Sequence, residues 1–181
     1  TVLVLGMGDI GGEFAKRVKF MGAYVIGMKR HLTDELPDYV DELWTMEHLD
    51  TLLPRADVVA MSLPQTAETI GLMNEARLKL VKEESVLLNV GRGSAVDTDA
   101  LCKALESGHI LGAGLDVTDP EPLPADHKLW TLPGAVITPH VSGGYYLPET
   151  VERIATICIE NLKAFTHGDS VKNVVDLKLG Y

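Results

Sequence analysis

Four consecutive apolar residues, Val2-Leu3-Val4-Leu5, run straight into Gly6-Met7-Gly8-Asp9-Ile10-Gly11, and helical spacing of Ile10, Phe14, Val18 and Met21 begins at once. This strand–turn–helix order constrains the chain more than any other feature. A GxGxxG string alone is weak, because any glycine-rich turn produces it. Between a buried strand and an amphipathic helix it has the setting that a phosphate-binding turn requires. Gly6 permits the tight turn, Gly8 lets the backbone approach a diphosphate, and Gly11 lets the helix pack close on the strand. The helix start then offers N–H groups and a positive dipole end to an anion.

The same alternation continues. Tyr24-Val25-Ile26-Gly27, Leu43-Trp44-Thr45, Asp57 to Met61, Val86 to Asn89, Ile110 to Val117 and Ala135 to Thr138 read as strands. Helical patterns are predicted over 46–53 (closed by Pro54), 74–81 with Asn74 as N-cap, 97–107 stopped by Gly108, and 149–166. Apolar strands alternating with helices predict an α/β fold, a Rossmann-type doubly wound parallel sheet in three layers. All of residues 1–181 are assigned to one dinucleotide-binding domain. The segment 118–133 carries Pro120, Pro122, Pro124 and Pro133 and reads as an extended loop. The acidic run Asp34, Glu35, Asp38, Asp41, Glu42 reads as a solvated face.

Composition removes several function classes. Against 16 Lys and Arg stand 26 Asp and Glu, a net charge of −10 that argues against nucleic-acid and anionic-membrane surfaces. No stretch is long and apolar enough for a membrane span. Cys102 and Cys158 lie in helical patterns with neither disulfide nor metal-ligand spacing, so half-buried reduced thiols, no metal and a cytoplasmic setting are expected. The chain opens on its first strand with no leader, which reads as a piece cut from a longer chain.

A dinucleotide-binding domain for NAD usually ends its second strand on Asp or Glu, which bonds the ribose hydroxyls. Eighteen residues after Gly11 stands Lys29, followed by Arg30. A basic pair attracts a 2′-phosphate, and a guanidinium fork matches phosphate geometry. NADP(H) is therefore favoured over NAD(H), with His31 and Thr33 as possible extra hydrogen-bonding groups.

Three further stretches follow strands: Asn89-Val90-Gly91-Arg92-Gly93, Leu115 to Pro122, and Thr138-Pro139-His140-Val141-Ser142-Gly143. Each sets one ionisable side chain beyond a strand end, where open α/β sheets bind ligands: Arg92, Glu121 and His140. The set suits hydride transfer to a 2-oxo acid. Arg92 binds the carboxylate and polarises the ketone, His140 donates a proton to the forming alkoxide, and Glu121 orients His140 and favours its cationic form. The other histidines, His31, His48, His109, His127 and His167, read as surface groups, and Trp44 and Trp130 lack the basic neighbours of a stacking platform.

Taken in order, the glycine turn, Ser62-Leu63-Pro64-Gln65-Thr66, NVGRG, LDV followed by EP, and TPH make the chain resemble the D-isomer-specific 2-hydroxyacid dehydrogenases from Gly6 to about Asn173. The resemblance puts that family's catalytic Arg, Glu and His on Arg92, Glu121 and His140. It puts cofactor contacts on Gly8, Asp9, Ile10, Leu63, Pro64, Thr69, Val90, Gly91, Asp116 and Gly143, and Arg92 and His140 are counted among the cofactor-binding residues as well. The basic Lys29-Arg30 pair is similar to the family's NADPH-using glyoxylate and hydroxypyruvate reductases. Family members also carry a substrate domain, which this chain is expected to lack. The long C-terminal helix is expected to pack against that domain. Cofactor binding with little turnover follows for the 181 residues alone, and a homodimer for the full-length protein. The alternative is a protein on the same fold that senses NAD(P)(H) and grips partners; loss of oxo-acid reduction on His140 mutation speaks for the enzyme.

Overall fold

The structure, a computed structural model, describes residues 1–32 and 35–178, and the chain divides into two compact units, Thr1–Pro139 and His140–Tyr181. In the first unit, seven strands pair in parallel among the described residues. They are β1 (Val2–Leu5), β2 (Val25–Lys29), β3 (Glu42–Thr45), β4 (Val58–Met61), β5 (Ser85–Asn89), β6 (Ile110–Leu115) and β7 (Ala135–Ile137), in the order β3-β2-β1-β4-β5-β6-β7. The order reverses at β1, where β2 lies on one side and β4 on the other. A crevice beyond the carboxyl ends of β1 and β4 is therefore the expected ligand position in such a sheet.

Both faces of β1 are buried, which is why it reads as an unbroken apolar run. Leu3 and Leu5 join Ile26, Met28, Val59, Met61 and Leu87 on one face, with α2 (Leu49–Leu52), α3 (Glu75–Leu80) and α4 (Thr98–Glu106) contributing Leu52, Leu78 and Leu101. Val2, Val4 and Val25 meet Ala15 of α1 (Asp9–Phe20) on the other. The three layers follow from these two apolar faces. Both α3 and α4 start on side-chain caps: Asn74 accepts from the Arg77 N–H at 3.1 Å and Asp97 from the Ala100 N–H at 2.9 Å.

Some element limits shift. β2 runs on to Lys29 because Lys29 pairs with Thr45 of the edge strand β3. The helix predicted over 46–53 is three short pieces, a 3₁₀ turn Met46–His48, α2, and a second 3₁₀ turn Leu53–Arg55. Pro54 sits inside the start of that last turn, where its missing N–H costs nothing, and does not close the helix. The proline loop holds a 3₁₀ turn at Lys128–Thr131, pinned where the Trp130 indole N–H donates to the Pro124 carbonyl at 2.8 Å. His127 is no idle surface group, since its Nδ1 accepts from the Leu129 N–H, and His109 is half-buried. Cys102 is buried whereas Cys158 is exposed.

The acidic run is also not uniformly solvated. Asp41 accepts from Lys19 and from the Val25 N–H. Glu42 accepts from the Tyr24 hydroxyl at 2.8 Å, the Trp44 indole N–H at 2.7 Å and the Arg55 guanidinium. Asp34 lies outside the described residues. The Arg55 hydrogen bond chiefly pulls the Glu42 carboxyl down to about 2 from its ordinary 4.5, with Trp44 and Tyr24 adding to it against burial. A carboxyl whose pKa is depressed on folding contributes stability that is whole above its unfolded value and lost as pH falls through the folded one. Unfolding midpoints in urea should therefore fall between about pH 5 and about pH 2.5, and Glu42→Gln should flatten that acid limb. An unchanged limb in the variant would assign the loss to other carboxylates.

The second unit consists of turns over 140–147, the twenty-residue helix α5 (Pro148–His167) and a tail. Pro148 occupies the first turn and Gly168, at φ 77°, closes the helix in the left-handed conformation. The tail is tied to the helix by Asn161, whose amide donates to the Lys172 carbonyl at 3.0 Å while its oxygen accepts from the Lys172 N–H at 2.8 Å. No residue of α5 is buried. None of the helices among the described residues is long and apolar enough to cross a membrane.

Candidate functional site

The first turn after β1 is held from two directions. The Gly6 and Met7 N–H groups both donate to the Met28 carbonyl at 3.2 Å, and the Ser62 hydroxyl, just past β4, donates to the Gly6 carbonyl at 2.9 Å. Gly6 stands at φ 94°, in the region that favours glycine. A Cβ on Gly11 would lie 1.9 Å from the Gly6 carbonyl oxygen, so only glycine lets α1 start this close to β1. Beside Gly8 a Cβ would meet nothing within 4 Å.

No side chain caps the N-terminus of α1. The first N–H groups of a helix have no partner within it, so those of Asp9 and Ile10 can serve an anion beyond Gly8. Ile10 is 61% exposed there, an apolar side chain that a bound ligand would cover. The cradle fits a diphosphate on this structure's own terms: an uncapped helix start, open space at Gly8, and a turn welded at Gly6 and Gly11.

Lys29 ends β2 and Arg30 follows it, both partly buried. Arg30 Nη2 lies 3.1 Å from a carboxylate oxygen of Glu68. His31 is exposed, and Thr33 lies outside the described residues. Leu63, Pro64 and Thr69 belong to the loop after β4, which the Thr69 hydroxyl tightens by donating to the Pro64 carbonyl at 2.7 Å.

Past β5, Asn89 is 1% exposed and clamps the turn that carries Arg92. Its oxygen accepts from the Gly91 N–H at 3.0 Å and its amide donates to the Arg92 carbonyl at 2.9 Å. The Arg92 side chain is exposed and donates to the Gly91 carbonyl at 2.7 Å. Val90 is 38% exposed at the same turn. Asp116, just past β6, is buried, donates its N–H to the Asn89 carbonyl at 3.0 Å and accepts from the Thr138 hydroxyl at 2.5 Å. Glu121 is exposed in the proline loop, with a cis peptide bond to Pro122.

Thus the first unit brings the glycine turn, the strand-end loops of β4, β5 and β6, and the basic end of β2 to the carboxyl edge of one sheet. His140 and Gly143 begin the second unit. His140 follows the end of β7 by three residues, is exposed, and stands at φ 54°, an uncommon conformation for a residue other than glycine. No group of His, Cys, Asp and Glu that could hold a metal ion occurs among the described residues.

Three supporting residues were not singled out by the sequence. Ser62 and Asn89 stitch the strand-end turns together, and a Cβ on Gly93 would lie 1.9 Å from the Thr118 carbonyl oxygen. An Asn at the end of an otherwise apolar strand was the one local signal, since a buried polar group must be hydrogen-bonded.

Residues 1–142 match the model of the D-isomer specific 2-hydroxyacid dehydrogenase NAD binding domain. A glyoxylate reductase from Pyrococcus horikoshii is 36% identical over 176 residues, which are 97% of this chain and 51% of that protein. The D-isomer specific 2-hydroxyacid dehydrogenase from Xanthobacter autotrophicus Py2, solved in complex with NADPH and MES, is 38% identical with a TM-score of 0.89, covering 99% of this chain and 72% of that one. The NADPH-dependent glyoxylate/hydroxypyruvate reductase from Sinorhizobium meliloti, in complex with NADP and sulfate, is 30% identical with a TM-score of 0.88, covering 99% of this chain and 56% of that one. The chain spans about half the length of the curated relatives it matches.

Proposed function

Because this chain belongs to the D-isomer specific 2-hydroxyacid dehydrogenase family, we propose that it forms the nucleotide-binding half of an enzyme interconverting small 2-oxo acids and D-2-hydroxy acids, with NADP(H) preferred to NAD(H). One observation carries the reading: an uncapped helix start on a welded glycine turn, beside a second strand that ends on Lys29 and Arg30 where a carboxylate would serve NAD. The relatives named as glyoxylate and glyoxylate/hydroxypyruvate reductases, one of them solved with NADP, support the substrate class and the phosphate preference.

In this reading the α1 N-terminus and the Gly6–Gly11 turn take the diphosphate, and Lys29 with Arg30 takes the 2′-phosphate. Leu63, Pro64, Thr69, Val90, Gly91, Asp116 and Gly143 line the remainder of the cofactor. The reduced nicotinamide, when bound, supplies the hydride that adds to C2 of the oxo acid. Arg92 binds the substrate carboxylate through its guanidinium fork and draws electron density from the ketone. His140 holds the proton that the C2 oxygen takes as the carbonyl becomes an alcohol, and Glu121 orients its ring. Arg92 and Glu121 follow β5 and β6, neighbouring parallel strands of the first unit, which supports their acting on one substrate; the family resemblance is what assigns His140 its role. We further take the full-length enzyme to be a cytoplasmic homodimer that engages no nucleic acid; the net charge of −10 supports the last point.

Titration of the chain with NADPH and NADH side by side tests the cofactor assignment. NADPH should bind the tighter, and Lys29→Asp should weaken it by about 10- to 100-fold, the equivalent of a charged hydrogen bond of about 1.5–3 kcal/mol. NADH affinity should hold or rise, because a carboxylate ending the second strand bonds the ribose hydroxyls. Tighter binding of NADH to the unaltered chain overturns the phosphate preference.

A further inference from the structure

The Arg30 guanidinium does not wait at the end of β2 without an anion. It meets Glu68, 38 residues away in the loop after β4, at 3.1 Å. That loop is set by its own threonines: the Thr66 N–H donates to the Thr69 hydroxyl oxygen at 2.8 Å, and the Thr69 hydroxyl donates to the Pro64 carbonyl. The backbone under Glu68 is thereby fixed while its side chain remains 77% exposed and can swing.

We propose that Glu68 is an internal competitor for the cofactor's 2′-phosphate and so sets how strongly this site prefers NADP(H) over NAD(H). The inference rests on the reading that Lys29 and Arg30 meet that phosphate. The carboxylate occupies the guanidinium with a single charge. A 2′-phosphate brings nearly two charges and three acceptor oxygens, enough to take the guanidinium from a mobile carboxylate. A 2′-hydroxyl is neutral and leaves the Arg30–Glu68 pair intact. NADPH thus binds by exchange of one ion pair for another, while NADH binding leaves the Arg30–Glu68 pair in place. Glu68 accordingly lowers the affinity for the phosphorylated cofactor alone.

The experiment is calorimetric titration of the chain and of Glu68→Gln with NADPH and with NADH. The glutamine keeps the length and shape of the side chain on an exposed loop and removes only its charge. NADPH should bind the variant about 2- to 5-fold tighter, the size of one exposed ion pair, with NADH within about 1.5-fold. In an Arg30→Ala background the same Glu68 substitution should have no effect on the ratio, because the competition needs the guanidinium. A tighter NADPH complex that persists without Arg30 overturns the proposal in favour of a diffuse charge effect. Weaker NADPH binding in Glu68→Gln overturns it by making Glu68 a residue that holds Arg30 in place for the phosphate. A normal NADPH preference that Glu68→Gln does not move overturns this inference alone. Failure of the unaltered chain to bind either nucleotide overturns the cofactor reading and this inference with it.

Discussion

Replacing His140 by asparagine in the full-length enzyme is expected to lower kcat for 2-oxo-acid reduction by about 100- to 10,000-fold, the range of general acid catalysis. NADPH affinity should stay within about threefold, because the proposed proton donor would act on the substrate oxygen while the proposed phosphate sites lie at the α1 turn and the end of β2. Asparagine is the informative replacement. His140 stands at φ 54°, and apart from glycine Asn is among the side chains best able to adopt that conformation, so the backbone turn should survive. The ring is exposed, so removing it leaves no core cavity. What remains is the loss of the imidazole that is proposed to hand the proton to the C2 oxygen. A kcat within tenfold of the parent would remove His140 from the chemistry, and the partner-binding alternative on this fold would gain.

The second large effect is structural. Gly93→Ala is expected to destabilise the chain by on the order of 3 kcal/mol, at the upper end of overpacking, and to lower Tm by roughly 6–12 °C. The added Cβ would stand 1.9 Å from the Thr118 carbonyl oxygen, 2.1 Å from its carbon and 2.8 Å from the Asp119 nitrogen. These are backbone atoms and cannot swing aside as the end of a side chain would. Asp119 is further fixed because its carbonyl accepts from the Thr98 hydroxyl at 2.6 Å. The turn that carries Arg92 and the loop that carries Glu121 would be driven apart. Gly12→Ala is the control: its Cβ would meet only the Tyr39 hydroxyl at 3.6 Å, and Tm should hold or rise, since alanine favours the helix. Equal Tm values for the Gly93 variant and the parent would show that the two loops yield to each other.

Several elements were legible locally. Val2 to Leu5 announced a strand buried on both faces, and β1 is buried throughout. Asn74 announced a helix start and caps one. Gly108 announced a stop and stands at φ 74° past α4. For the cap and the stop the determining contact lies within a few residues, and for β1 the unbroken apolar run itself demands burial on both faces, so residue type carries it. Where the determining contact is distant, the reading slipped. β2 gains Lys29 through its pairing with β3, and Glu42 is drawn out of a solvated run by Tyr24, Trp44 and Arg55. The turn at 128–131 depends on an indole N–H finding the Pro124 carbonyl.

The candidate site divides along the same line. Gly6, Gly8 and Gly11, the basic end of β2, and the ionisable groups past β5, β6 and β7 could be chosen from the amino acids alone, because the chemistry needs those residue types beside those strand ends. That Ser62 bonds the Gly6 carbonyl across 56 residues and that Arg30 already grips Glu68 were decided only when β2 and β4 settled on either side of β1, whereas Asn89 locks the turn bearing Arg92 within three residues of itself. Local periodicity determines that strands and helices form, since it depends on which side chains share a face. It does not determine which strand lies beside which. That choice belongs to hydrogen-bonded ladders and buried faces assembled from the whole first unit, and it is there that a glycine turn, two bases and the Glu68 carboxylate come to one edge of the sheet.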